Sequence, residues 1–104
     1  MEPAAKLSHT AAMILQALDA GNRYGLSIME VAGLPSGTVY PALRRLERDR
    51  LVSSRWESEK VAEKDGRPAR KYYVITRAGS GALEAARQRY PHLSGLFVRR
   101  EAST

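Results

Sequence analysis

Cysteine is absent from the 104 residues, which excludes disulfides, thiolate catalysis and cysteine-ligated zinc and fits a reducing, cytoplasmic setting. Histidine occurs only at His9 and His92, far apart and without ligand spacing, so no metal site is expected. No nucleophile elbow, phosphate-cradling glycine loop or paired-acid motif is present, so neither an enzyme nor a bound cofactor is expected. Long apolar runs are missing too. The opening stretch MEPAAKLSHTAAMILQALDAG is broken by Asp19 and Gly21, well short of a membrane span, and neither a leader nor a membrane partner is expected. Acidic residues are in deficit, 11 against 17 Lys plus Arg, for a net charge of +6. A pI near 10.1 makes a polyanion, nucleic acid first, the partner to test.

With 43% hydrophobic and 27% charged residues, the chain has the balance of one folded domain with one modest core. Leu7, Ala11, Ile14, Leu15 and Leu18 recur at helical steps, with Ser8 as N-cap and Gly21 as stop. Leu26, Ile28, Met29 and Val31 predict a short second helix halted by Gly33. Ser36 is expected to cap a third helix, over 37–49, with Pro41 tolerated in its first turn and Gly37 making room for the proline ring. LVSSRWE and RKYYVIT, rich in β-branched and aromatic residues, predict a two-stranded hairpin with a long charged tip that turns at Asp65-Gly66. Trp56, Tyr72 and Tyr73 are assigned to packing within it, with one face of the pair left open to DNA or a ligand. Thr76 caps a last helix that Gly79 and Gly81 weaken and Pro91 ends or kinks.

The third helix is chemically two-faced. Val39, Ala42, Leu43 and Leu46 cluster on one side, and Pro41, Arg44, Arg45 and Arg48 fan out on the other. The element order is that of a winged helix-turn-helix, mainly α with a small hairpin: a three-helix core, a two-stranded wing and a C-terminal helix. In such a fold the third helix is held by its leucines and presents its far face to a major groove about 12 Å wide. Its first turn, with the amides of Gly37 and Thr38 and the hydroxyls of Ser36, Thr38 and Tyr40, suits a phosphate. Arg44 and Arg48 would either reach a guanine edge, for about 1–3 kcal/mol of discrimination, or pair with phosphate. Lys64, Arg67, Arg70 and Lys71, around Gly66 and Pro68, form a second basic cluster on the wing.

YGLSIME, GTVYPALRRLERDRLV, SRWE, GRPARKYYVIT and RAG, in that order, resemble the PadR family of bacterial winged-helix regulators from about residue 15 to 83. The resemblance implies a DNA-binding homodimer in the bacterial cytoplasm, usually a repressor, with some members answering to phenolic or other apolar small molecules. It assigns DNA contacts to Tyr24, the start of the third helix from Ser36 to Tyr40, Arg44, and the wing residues Arg67, Arg70 and Lys71. Where the family pattern has glycine after the third helix, this chain has Arg50.

Residues 1–76 are assigned to the DNA-binding unit and 77–104 to a dimerisation element. Gly79, Leu83, Ala86, Tyr90, Leu93 and Phe97 are spaced as a coiled-coil-like seam if the helix runs on through Pro91, helped by Leu7 of the first helix, though Leu83, Tyr90 and Phe97 could equally cover the chain's own core. Two third helices about 34 Å apart would then read double-stranded DNA at a pseudo-palindromic site. The competing expectation is a winged-helix module whose arginine face binds an acidic protein surface.

Overall fold

The structure, a computed structural model, describes residues 6–97. Three helices form the body: α1 (His9–Asp19), α2 (Gly25–Ala32) and α3 (Ser36–Arg48). A hairpin of β1 (Val52–Trp56) and β2 (Lys71–Ile75) follows, with a short helix α4 (Glu59–Lys64) at its tip, and then α5 (Arg77–Arg89) and a 3-10 turn, Pro91–Gly95. This is a winged-helix arrangement, mainly helical with an antiparallel pair of strands in register from Val52 opposite Ile75 to Trp56 opposite Lys71.

Local chemistry sets the boundaries. The Ser8 hydroxyl accepts from the Ala11 amide at 3.0 Å, and Gly33 closes α2 in the left-handed region, φ 66°. Thr76 caps α5 by accepting from the Gly79 amide at 3.0 Å and donates to the Arg50 carbonyl at 2.7 Å. Ile14, Leu15, Ile28, Val39, Leu43 and Leu83 are fully or almost fully buried, so the stripes of α1, α2, α3 and α5 meet in one core. Gly79 has no room for a side chain: a Cβ there would strike the Leu51 carbonyl, which is how α5 lies so close to the start of β1. The hairpin is also tied to the body, since the Tyr73 amide donates to the Arg23 carbonyl at 2.8 Å.

Four expectations need correction. Ser36 is the first helical residue of α3, not its cap; Pro35 takes the cap position in extended conformation and no side chain caps the helix. Pro41 consequently sits in the second turn, where its missing amide leaves the Gly37 carbonyl without its helical donor. The wing tip is not an open loop, because Ser58 caps α4, accepting from the Val61 amide at 3.3 Å, and Ala62 is buried beneath it. The run EKVAEK consists mostly of good helix formers behind a serine, a signal that the charged composition masks.

The C-terminal seam is the fourth. α5 stops at Arg89 and the chain turns back at Pro91, so the helix does not continue. Leu83, Ala86 and Leu93 are 2%, 0% and 0% exposed within their own core, and Tyr90 and Phe97 pack partly buried against it. The turn is held by Gln16, a buried side chain of α1. Its amide nitrogen donates to the carbonyls of Ser94 and Leu96 at 3.3 and 3.1 Å, and its oxygen accepts from Arg87 at 2.8 and 3.0 Å. Nearby, the two histidines that sequence spacing kept apart meet, Nε2 to Nε2 at 3.1 Å. Among the described residues no group of three or more His, Cys, Asp or Glu side chains forms a metal cluster.

Candidate nucleic-acid interface

Helix α3 presents the surface that its period dictates. Val39, Leu43 and Leu46 face inward, while Tyr40, Pro41, Arg44, Arg45 and Arg48 are exposed. Among the described residues Arg44 and Arg45 enter no ion pair, and Arg48 reaches only Asp49, at 3.8 Å and with both side chains largely in water, a contact of little worth. Glu47, the acid nearest these arginines in sequence, turns instead to the wing. It accepts from the Ser54 hydroxyl and pairs with Lys71 at 3.7 Å. The positive face of α3 is thereby left uncompensated. At its first turn the amides of Ser36 and Gly37 precede any intrahelical acceptor, and Thr38 is half-buried beside them.

The wing's basic cluster is less uniform than its composition implies. Arg67 is spent internally: its two terminal nitrogens reach the Glu57 oxygens at 2.6 and 2.9 Å, and one also reaches Asp65 at 3.1 Å. Arg70 stacks on Tyr24, its guanidinium carbon 4.2 Å from the ring centre. Lys71 is shared between Glu47 and the faces of Trp56 and Tyr73, with Nζ 5.9 and 5.7 Å from their centres. Lys64 and Gly66 lie at the exposed tip, where Gly66 turns the chain at φ 68°.

Electrostatics reinforce the frame. The hydrogen bonds from Arg67 above all, then those from the Arg70 amide and the Tyr72 hydroxyl, outweigh desolvation and hold the Glu57 carboxyl down at about 2. The same carboxylate raises Arg67 further. Burial, with the Glu47 charge next, pushes the Tyr73 phenol above its ordinary value.

Residues 14–85 match the model of the transcriptional regulator PadR-like family. The chain belongs to that family. A PadR family transcription regulator from Clostridium difficile R20291 superposes with TM-score 0.70 at 27% identity, covering 85% of this chain and 93% of its own. A PadR-like transcription factor from Bacteroides fragilis does so with TM-score 0.57 at 30% identity, covering 81% and 82%. The Bordetella bronchiseptica regulator BpsR, whose DNA binding is regulated by 6-hydroxynicotinic acid, shares the fold at TM-score 0.69 and 15% identity, with 90% and 67% covered. No curated protein gives a significant match. The family is one of transcriptional regulators and not of enzymes.

In this PadR-like chain the structure brings Tyr24, Tyr40, Arg44, Arg70 and Lys71 around one cleft of about 630 Å³ between α3 and the wing. Pro41 and Arg45 lie on the other flank of α3, beside an apolar groove of about 950 Å³ that Leu7, Ala11, Ala82 and Ala85 also line. Sequence reasoning left Trp56 open and missed Gly25. Trp56, assigned to strand packing, is 63% exposed and lines the cleft. Gly25, at the start of α2, has no room for a Cβ because the Tyr40 ring lies against it. No helix is long and apolar enough to cross a membrane among the described residues.

Proposed function

We propose that this PadR-like regulator binds DNA in a sequence-specific way as a homodimeric repressor, with α3 in the major groove and the wing beside it. The observation that carries this is the uncompensated face of α3, where Arg44 and Arg45 are exposed and without carboxylate partners among the described residues. Ser36, Gly37, Thr38 and Tyr40 then meet a phosphate at the helix start. Arg44, Arg45 and Arg48 reach base edges or phosphates, with Pro41 beside them. Tyr24, Lys64, Gly66, Arg70 and Lys71 follow the flanking backbone, and Arg67 acts through its grip on Glu57 rather than as a free cation.

The second copy docks on the α1 and α5 side of the groove and leaves Thr38, Pro41 and Arg45, on its α3 side, to DNA. Leu7 and Ala11 line it together with the small side chains Ala78, Ala82 and Ala85, so a partner's backbone can approach closely there. That placement replaces the buried Leu83, Ala86 and Leu93 as the contact and carries the two α3 helices to a pseudo-palindromic site. A small apolar or phenolic effector finds aromatic walls in the cleft beside Arg44 and competes with DNA for it.

Selection of duplex fragments by the purified protein, with mass measurement of the complex, tests the proposal. Expected are an enriched two-fold motif, two protein chains per duplex and affinity that falls steeply with log salt. A flat salt response and no enriched sequence would overturn it in favour of a protein-binding module.

A further inference from the structure

Strand alternation puts Trp56 on the same face of the hairpin as Val52 and Ser54, the face turned to α3. Val52 is buried against the core and Ser54 bonds Glu47 of α3, but Trp56 stands one step beyond that cover and overhangs the cleft. Of the large apolar side chains left exposed, Leu26, Tyr40 and Trp56 line this same cleft. Arg44, Arg67, Arg70 and Lys71 line it as well, and among the described residues no carboxylate does, although Glu47 and Glu57 stand behind Lys71 and Arg67. An uncovered apolar patch set among cations, with Arg44 unpaired among the described residues, has the chemistry of a sugar–phosphate strand, in which apolar sugar faces alternate with anions.

We propose that the cleft seats one deoxyribose–phosphate strand of bound DNA, with Trp56 packed on a sugar and Arg44 and Lys71 on the flanking phosphates. The proposal rests on the DNA-binding function above, and deepens it by giving an aromatic side chain a contact that carries no base information. Trp56 therefore contributes affinity without sequence preference, and contributes it through apolar burial and not through charge. The two contributions separate cleanly, because only displaced counterions enter the salt slope.

Trp56 is the only tryptophan in the chain, so its emission reports on the cleft alone. A random-sequence duplex carrying a terminal dye is titrated at low salt, and dye anisotropy and tryptophan emission are read together. Emission is expected to change in step with anisotropy. Trp56→Ala is expected to weaken binding about tenfold on every duplex, the worth of covering roughly 60 Å² of apolar ring, with the salt slope unchanged. Lys71→Ala should lower that slope by about 1. The melting curve of Trp56→Ala is read alongside and is expected to match the parent, since the ring is mostly in water. If anisotropy rises while emission stays constant and Trp56→Ala binds like the parent, the strand does not enter the cleft, and the inference falls with DNA binding intact. If emission answers to 4-hydroxybenzoate but not to DNA that binds, the cleft is a small-molecule site and the inference is overturned. If anisotropy does not rise at all, the proposed function itself fails.

Discussion

Arg67 and Glu57 are clasped through two parallel bonds, Nη1 to Oε1 at 2.6 Å and Nη2 to Oε2 at 2.9 Å, across ten residues of wing. The Glu57 side chain is only 8% exposed, and it also accepts from the Arg70 amide and the Tyr72 hydroxyl, each at 3.2 Å. One carboxylate thus closes the loop that carries α4 and orients the segment from Arg67 to Tyr72. Bidentate geometry makes this pair directional, which a lysine in place of Arg67 would not reproduce.

Acid should open the wing before the body. Glu57 is held at about 2 in the fold against an ordinary 4.5, so the unfolded wing binds the proton more tightly. Its stabilisation is complete above pH about 4.5 and is lost as pH falls toward 2. Amide exchange or tryptophan emission from Trp56, followed from neutral pH downward, should show the wing loosening in that window. Glu57→Gln should flatten the response and loosen the wing already at neutral pH.

Arg50 closes α3 in the left-handed region at φ 63°. Its amide donates to the Glu47 carbonyl at 3.0 Å and the next amide, of Leu51, to the Leu46 carbonyl at 2.9 Å, a complete Schellman cap with arginine where glycine is usual. Arg50→Gly should stabilise by about 0.5–1 kcal/mol in urea titrations, the relief of backbone strain less the entropy glycine loses on folding.

Two glycines of α5 should answer oppositely to alanine. At Gly79 the new Cβ would strike the Leu51 carbonyl, and Gly79→Ala should cost about 1–3 kcal/mol. At Gly81 the space is open, and Gly81→Ala should gain roughly 0.5–1 kcal/mol from helix propensity. Paired thermal melts distinguish the two.

Arg44→Ala combined with Arg48→Ala should leave the melting temperature nearly unchanged, because both side chains lie outside the core. Affinity for a selected duplex should drop, with about 0.9 lost from the salt slope for every phosphate contact removed. Unchanged affinity would place the groove-facing surface elsewhere on the molecule.

Much of this was legible residue by residue. The stripe from Leu7 to Leu18, the caps Ser8 and Thr76, the stop at Gly33 and the hairpin strands all follow from contacts within a few residues, where spacing and side-chain type decide the outcome. The two faces of α3 followed for the same reason. The wing helix was missed because six residues carry too little period to distinguish helix from loop. The seam stayed open between the chain's own core and a partner's because spacing shows that Leu83, Ala86 and Leu93 share a face but not whose core that face meets.

Sequence alone determined the order of the three body helices, the two strands and α5, the two faces of α3 and the family, since these are written in periods and in motifs a few residues long. Tertiary structure alone decided that Arg67 is neutralised while Arg44 is not, that Gln16 holds the turn at Ser94 and Leu96 from 78 and 80 positions away, and that Trp56 overhangs a cleft lined with cations. Those outcomes depend on which distant side chains arrive within hydrogen-bond reach once the core closes, and no local pattern encodes that distance.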